Sequence, residues 1–258
     1  KTGYIVLDHF NRKASTETRE ALEQLKKEGA ERIVLDLRGN PGGLLNEAVN
    51  ICNLFVPKNE IIVTTKSKIE KHNNTYKTSK EPIDTSIPLV ILINGRSASA
   101  SEIVSGALQD LDRAVVLGSR SFGKGLVQRP VELTYGTQLK VTISRYYTPS
   151  GRCIKALDYA HKDKNGVATR TDAKNYNTFK TRKGRTVYDG GGVLPDIEME
   201  ETKTSPIANA LLKNDGIFNF ATSYYYKNPN LGTKIPVITD ADYADFKQYL
   251  KTQKITFD

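Results

Sequence analysis

The chain has 258 residues, 38% of them hydrophobic, enough to bury the core of one large α/β domain or two small ones. No window approaches the roughly 20 apolar residues of a membrane-spanning helix. A formal charge of +9 raises nucleic acid or acidic membrane as partners, but residues 162–185 alone carry eight Lys or Arg against two Asp; basicity packed into one polar excursion reads as a solvated loop, and no nucleic-acid partner is expected.

Residues 3–8 (GYIVLD) predict a strand. Ser15 or Thr16 is expected to cap a helix running to Glu28, with Leu22 and Leu25 on one face and Gly29 as terminator. Residues 32–37 (RIVLDL) have the pattern of a strand buried on both faces and lead into a glycine-rich turn, Arg38-Gly39-Asn40-Pro41-Gly42-Gly43. The next helix puts Leu45, Ala48, Val49, Cys52 and Phe55 on one stripe and stops before Pro57. Residues 61–65 predict a strand, and the polar run 66–84 a surface hairpin or loop. This alternation argues for a largely parallel sheet packed by helices.

A second buried-strand run, residues 89–93 (LVILI), stops at Asn94-Gly95. Ser97, Ser99 and Ser101 then alternate with alanines before an amphipathic stretch, residues 102–108. A serine at such a strand-to-helix turn sits by unpaired N–H groups and the positive dipole end, which favour a developing oxyanion. A strand at residues 114–117 follows, then Gly118 and Phe122-Gly123-Lys124-Gly125. Residues 138–147 alternate, with Leu139, Val141 and Ile143 on one side and Lys140, Thr142 and Ser144 on the other. A turn follows at residues 147–152, and the basic excursion, about residues 156–186, ends in Asp189-Gly190-Gly191-Gly192-Val193-Leu194-Pro195-Asp196. Helical pieces are expected at residues 206–213, 217–227 and 240–251, the last with Tyr243, Phe246, Tyr249 and Leu250 on one side.

Alone, SASASE is ordinary helix-start chemistry and FGKG a turn with an exposed lysine. Together and in order they resemble the catalytic signature of the carboxyl-terminal processing, or tail-specific, serine peptidases. DGGGVLPD resembles a further signature of that family, although the basic excursion before it departs from the family's usual shorter connection. The resemblance runs from about Gly3 to Glu200.

It implies an α/β fold with a ClpP/crotonase-like core, its mainly parallel sheet packed by helices, joined to a β-rich second part and a short helical C-terminal extension. Residues 1–200 would be the catalytic domain, with the insertion, and 201–258 the start of the extension. It implies Ser99 as nucleophile, Lys124 as general base and Gln128 as the residue that orients the lysine amine. A lysine serves as base only when neutral, which calls for burial; Phe122, Leu126 and Val127 are the expected apolar neighbours. The backbone N–H of Ala100 with that of Gly42 or Gly43 is the expected oxyanion hole, and Asp36 with Arg38 the pair that holds their loop. The implied chemistry is peptide-bond hydrolysis near the C-termini of protein substrates, with no metal or cofactor, outside the cytoplasm in a bacterial periplasm or cell envelope. The family's usual PDZ substrate reader would precede the first strand, so the chain reads as a catalytic core cut from a longer protein. The alternative is a peptide- or apolar-ligand-binding domain of the same fold that does not cut.

Other nucleophile systems have weaker support in the residues. His9, His72 and His161 lack an acid in a recognisable motif. Cys52 reads as a core residue and Cys153 lies in a turn; whether the two pair is left open. No HExxH, CxxC or carboxylate group has metal-ligand spacing.

Overall fold

Short Val-, Ile- and Leu-rich runs and the helices between them build the first part of the chain. In order these are β1 (Thr2–Val6), α1 (Ala14–Lys27), β2 (Arg32–Asp36), α2 (Leu45–Cys52), β3 (Ile61–Lys66), β4 (Asn74–Lys77), β5 (Leu89–Ile93), α3 (Ala100–Asp110) and β6 (Val115–Gly118). There follow β7 (Leu126–Glu132), β8 (Gln138–Tyr147), β9 (Leu157–Lys162), β10 (Ala168–Arg170), β11 (Thr178–Lys180), β12 (Thr186–Tyr188) and β13 (Ile197–Glu198). The computed structural model describes residues 1–166, 168–200, 204–229, 231–232, 236–253 and 255, and divides into two units, Lys1–Glu201 and Thr202–Asp258.

Five strands in the order β1-β2-β5-β6-β13 form a parallel sheet. Its register sets Ile5, Leu35, Ile91 and Val116 side by side, all buried. Each such side chain contributes about 1.5–3 kcal/mol on leaving water. Leu22 of α1, Ala48 and Ile51 of α2, and Ile103, Val104 and Ala107 of α3 belong to the same core. The expected stripe of α2 is seen in part: Cys52 and Phe55 are buried, although the helix ends at Cys52.

Three expectations change. The strand at 61–66 lies outside the parallel sheet: β3 pairs antiparallel with β4 and β8 in a second sheet ordered β4-β3-β8-β7. Ser15 and Thr16 fall inside the first turn of α1, whose N-cap is Lys13; the Ser15 N–H instead meets the Glu47 carboxylate from α2 at 2.8 Å. In β8 the buried side chains toward its end are Ser144 and Tyr146, while Leu139 is exposed. A bulge explains the change: Val127 opposes Ser144 and Gln128 opposes Thr142, which leaves Ile143 as the extra residue.

The basic excursion is not a free loop. It folds into two hairpins, β9–β10 and β11–β12, and fastens to the body through its arginines. Arg182 grips Glu60 at 2.6 and 3.1 Å, and Arg185 holds Asp112 at 2.6 Å. Just before it, fully buried Arg152 pairs with buried Asp110 at 2.8 Å and donates to Gln109 Oε1 at 2.7 Å. Charge counting registers the sign of these residues but not their partners.

In the second unit, α4 (Pro206–Lys213), α5 (Gly216–Lys227) and α6 (Asp240–Thr252) stand close to expectation. Phe220 stacks against Phe246 and Tyr249 at centroid distances of 4.9 and 5.5 Å, and Leu250 is buried. Tyr243, expected on that side, is exposed.

Candidate active site

The strand β5 ends at Ile93 and α3 begins at Ala100, so Ser97 and Ser99 occupy the turn between them and Ser101 the first turn of the helix. Their surroundings separate them. Ser97 is buried and donates to Leu37 O at 2.7 Å while accepting from Asn94 N at 2.9 Å. Ser101 is buried and donates to Asn40 O at 3.0 Å. Both hydroxyls serve the turn. Ser99 is half-buried and occupies φ +57°, ψ −111°, a backbone region that costs a non-glycine residue about 1–3 kcal/mol and persists only where its surroundings enforce it.

The enforcing group is Glu102, which the sequence reading passed over. Its carboxylate is fully buried one turn into α3 and accepts four hydrogen bonds. Oε2 takes the N–H of Ser99 at 2.8 Å and that of Lys124 at 2.8 Å. Oε1 takes the Ser121 hydroxyl at 2.5 Å and the Gly123 N–H at 2.6 Å. Burial pushes the carboxyl pKa up, opposed by those donors. Ser99-x-x-Glu102 is the spacing in which an acid reaches back to the N-cap N–H, so one of the four contacts was available from the sequence.

Gly123 sits at φ +88°, and a Cβ there would stand 2.1 Å from Ala156 Cβ, so only glycine lets the two segments close. Lys124 is half-buried. Its carbonyl accepts the hydroxyl of buried Tyr146, a second residue not foreseen. Burial and then the Glu102 charge push the Tyr146 hydroxyl pKa well up. The expected apolar surround is partial: Leu126 and Val127 are half-buried, but Phe122 is exposed. Gln128 is exposed on β7, and among the described residues no hydrogen bond joins it to Lys124. The glycine-rich signature straps this loop from behind: Val193 N donates to Ser121 Oγ at 2.7 Å and Ser121 N to Val193 O at 3.1 Å.

The turn after β2 lies against the serine. A Cβ on Gly42, at φ +98°, would stand 2.8 Å from Ser99 Cβ and 2.9 Å from Ala100 N. The Gly42 N–H already donates to Asn40 Oδ1 at 2.8 Å. Gly43 bridges to Phe10 through the Gly42 carbonyl and the Leu44 N–H, which leaves its own N–H out of that bridge. Buried Asn40 shapes the loop: its Nδ2 donates to Leu7 O at 2.7 Å and its carbonyl accepts Ala98 N at 3.0 Å. Arg38 grips Asp36 with Nε at 3.0 Å and a second nitrogen at 2.7 Å, the pairing expected of them.

The other nucleophile candidates stand apart. Cys52 is fully buried and Cys153 half-buried; both are free, and burial pushes both thiols up, away from the reactive thiolate. Exposed His161 pairs with Asp158 at 2.7 Å on β9, and no hydrogen bond among the described residues joins a histidine to Ser99.

Residues 207–258 match a family described as "Probable PDZ-protease, C-terminal helical domain". A carboxyl-terminal-processing protease of Picosynechococcus is 45% identical over 157 residues, covering 61% of this chain and 37% of that protein. A probable CtpA-like serine protease of Staphylococcus aureus is 42% identical over 158 residues, covering 60% of this chain and 31% of its own length. The chain thus spans about a third of the curated relatives it matches. The structure of a photosystem II D1 C-terminal processing protease superposes with a TM-score of 0.59 at 31% identity, over 77% of this chain and 42% of the other. Residues 1–161 match the family described as Peptidase family S41, and the chain belongs to that family.

Proposed function

We propose that this chain is the catalytic part of a carboxyl-terminal processing serine endopeptidase working through a Ser99–Lys124 dyad. The observation that carries the reading is the strained, half-buried Ser99, the one serine of its triplet whose hydroxyl is not committed to a buried carbonyl, roped through Glu102 to the backbone of Lys124. Ser99 Oγ attacks the scissile carbonyl carbon and its proton passes to Lys124 Nζ. The C–N bond breaks as that proton goes to the leaving amine. Water, deprotonated by the same lysine, then hydrolyses the ester and restores the serine. The Ala100 N–H at the start of α3 and the Gly43 N–H are the oxyanion donors this reading favours; Gly42 is occupied by Asn40 and supports the loop. Gln128 orients the lysine amine once a substrate is bound.

The substrates are proteins cut near their C-termini, outside the cytoplasm, with a PDZ reader in the full-length protein. Family membership and the names of the relatives support the C-terminal processing, and the match of residues 207–258 to a PDZ-protease helical domain supports the reader. The test is hydrolysis of a quenched fluorescent peptide. Ser99→Ala and Lys124→Arg should each abolish turnover while the fold is kept, since arginine retains the charge but cannot accept the proton. Gln128→Ala should lower it less. A Lys124→Arg protein at the wild-type rate would reject the dyad.

A further inference from the structure

Beside the lysine loop, the second sheet carries a groove of about 740 Å³. Leu126 and Ile143 form an apolar part of its wall, and its charged lining is Lys66, Lys68, Arg145 and Lys155 against one acid, Asp158. Leu126 opens β7 two residues after Lys124. The backbone of Lys155 stands 2.6 Å from where a Cβ of Gly125 would lie. Tyr146, between the lining residues Arg145 and Tyr147, donates its N–H to Gly125 O and its hydroxyl to Lys124 O. The groove therefore flanks the loop that carries the proposed base.

Three of these cations differ from four arginines elsewhere in this unit. Arg38, Arg152, Arg182 and Arg185 are each spent on a carboxylate. Lys66, Lys68 and Arg145 are exposed, and among the described residues none of the three forms an ion pair. Lys66, exposed, is held with its ammonium 4.9 Å from the centroid of the Tyr147 ring, another residue of the lining. Three cations without an ion-pair partner among the described residues, beside an apolar stretch of wall, suit a chain that brings both carboxylates and side-chain methylenes.

We propose that this groove is a substrate subsite that takes an acidic peptide segment, so that the enzyme prefers substrates with Glu or Asp beside the scissile bond. The proposal rests on the peptidase reading for its location and on the unpaired cations for its specificity. Each rim pair with a carboxylate is weak, and two or three acting together give about a tenfold preference.

The test uses three quenched decapeptides identical except for a Glu–Glu, Gln–Gln or Lys–Lys pair, together with the variant Lys66→Glu/Lys68→Glu/Arg145→Glu. The expected result is kcat/KM in the order Glu, Gln, Lys, with about tenfold between the first two, a gap that shrinks in high salt. The triple variant should reverse the order of the charged peptides and leave the Gln–Gln peptide near its wild-type rate. Equal rates on all three peptides would overturn the subsite and leave the peptidase reading standing. If no peptide is cut, fluorescence anisotropy of the same peptides on the Ser99→Ala protein decides separately. Tighter, salt-sensitive binding of the Glu–Glu peptide, lost in the triple variant, upholds the groove while the peptidase reading fails. No discrimination there, or tighter binding of an oligothymidylate of equal charge, overturns the groove.

Discussion

Ser99 and Lys124 meet through a single atom: the backbone N–H groups of both donate to Oε2 of Glu102, each at 2.8 Å. The two half-motifs, 25 residues apart in the sequence, are thereby fixed to each other by their main chains, whatever their side chains do. Glu102→Gln tests this directly. An amide keeps one acceptor oxygen and turns an NH2 group toward two of the four donors. Orphaned buried donors cost about 1–3 kcal/mol each, so a loss of about 2–6 kcal/mol is expected in denaturant melts. Because Glu102 positions the pair and does not touch substrate, kcat should fall with KM nearly kept. A variant with wild-type stability would refute the four-donor account.

The serine triplet yields a second expectation, in stability and activity at once. Ser97→Ala removes a buried hydroxyl that serves both Leu37 O and Asn94 N, and should cost about 1–3 kcal/mol. Ser99→Ala retains a β-carbon at φ +57° and should leave stability within about 0.5 kcal/mol while activity vanishes. Ser99→Gly relieves the strain and should be inactive yet more stable by about 1 kcal/mol, a few degrees in thermal melting. An unchanged or lower melting temperature for Ser99→Gly would show that the φ angle is not strained.

The contrast between the local and the distant contacts of Glu102 shows what a sequence can disclose here. Continuous apolar runs such as 33–35 and 89–93 are self-evident strands because burial on both faces needs no polar alternation, and the matching β2 and β5 lie inside the sheet. The link from Glu102 to Ser99 is local, three residues along a helix, and was legible as a helix-start spacing. Its links to Ser121, Gly123 and Lys124 cross about twenty residues, and no periodicity encodes them. The same holds for Glu47, which caps α1 from α2 and displaced the expected role of Ser15. It holds too for β3, whose own residues announce a strand but not which sheet it joins, and for Arg182 and Arg185, whose acids lie in other segments.

Asn40 carries a third prediction. It ties β1 to the loop through Leu7 O and holds the Gly42 N–H on its own side chain, which keeps Gly42 against Ser99 and Ala100. Asn40→Ala should lose about 2–3 kcal/mol, since two buried partners are orphaned together. Its kcat should drop about tenfold or more as the oxyanion loop loosens, short of what complete loss of a donor costs. Asn40→Asp keeps an acceptor for Gly42 and should recover part of kcat, though not the bond to Leu7. Equal kcat for the alanine and aspartate variants would mean that the Gly42 contact does not position the loop.

The loop's other anchor should reveal itself through pH. Burial pushes the Asp36 carboxyl up, but the Arg38 guanidinium, the Tyr4 hydroxyl and the Arg38 N–H outweigh it and hold the carboxyl below the ordinary aspartate value. A depressed carboxylate contributes stability that is present in full above its unfolded pKa and is lost as pH falls through the folded one. Arg38 is half exposed, so solvent screens the pair and its contribution is at most about 1 kcal/mol. Arg38→Gln should therefore melt a few degrees below wild type at pH 7. That gap should hold down to about pH 5 and close as the pH falls below about 4, where the unfolded carboxyl takes its proton. Melting curves of both proteins across pH 7 to pH 3 measure it. A gap that stays constant over the whole range would show that the Asp36 charge is not what Arg38 stabilises.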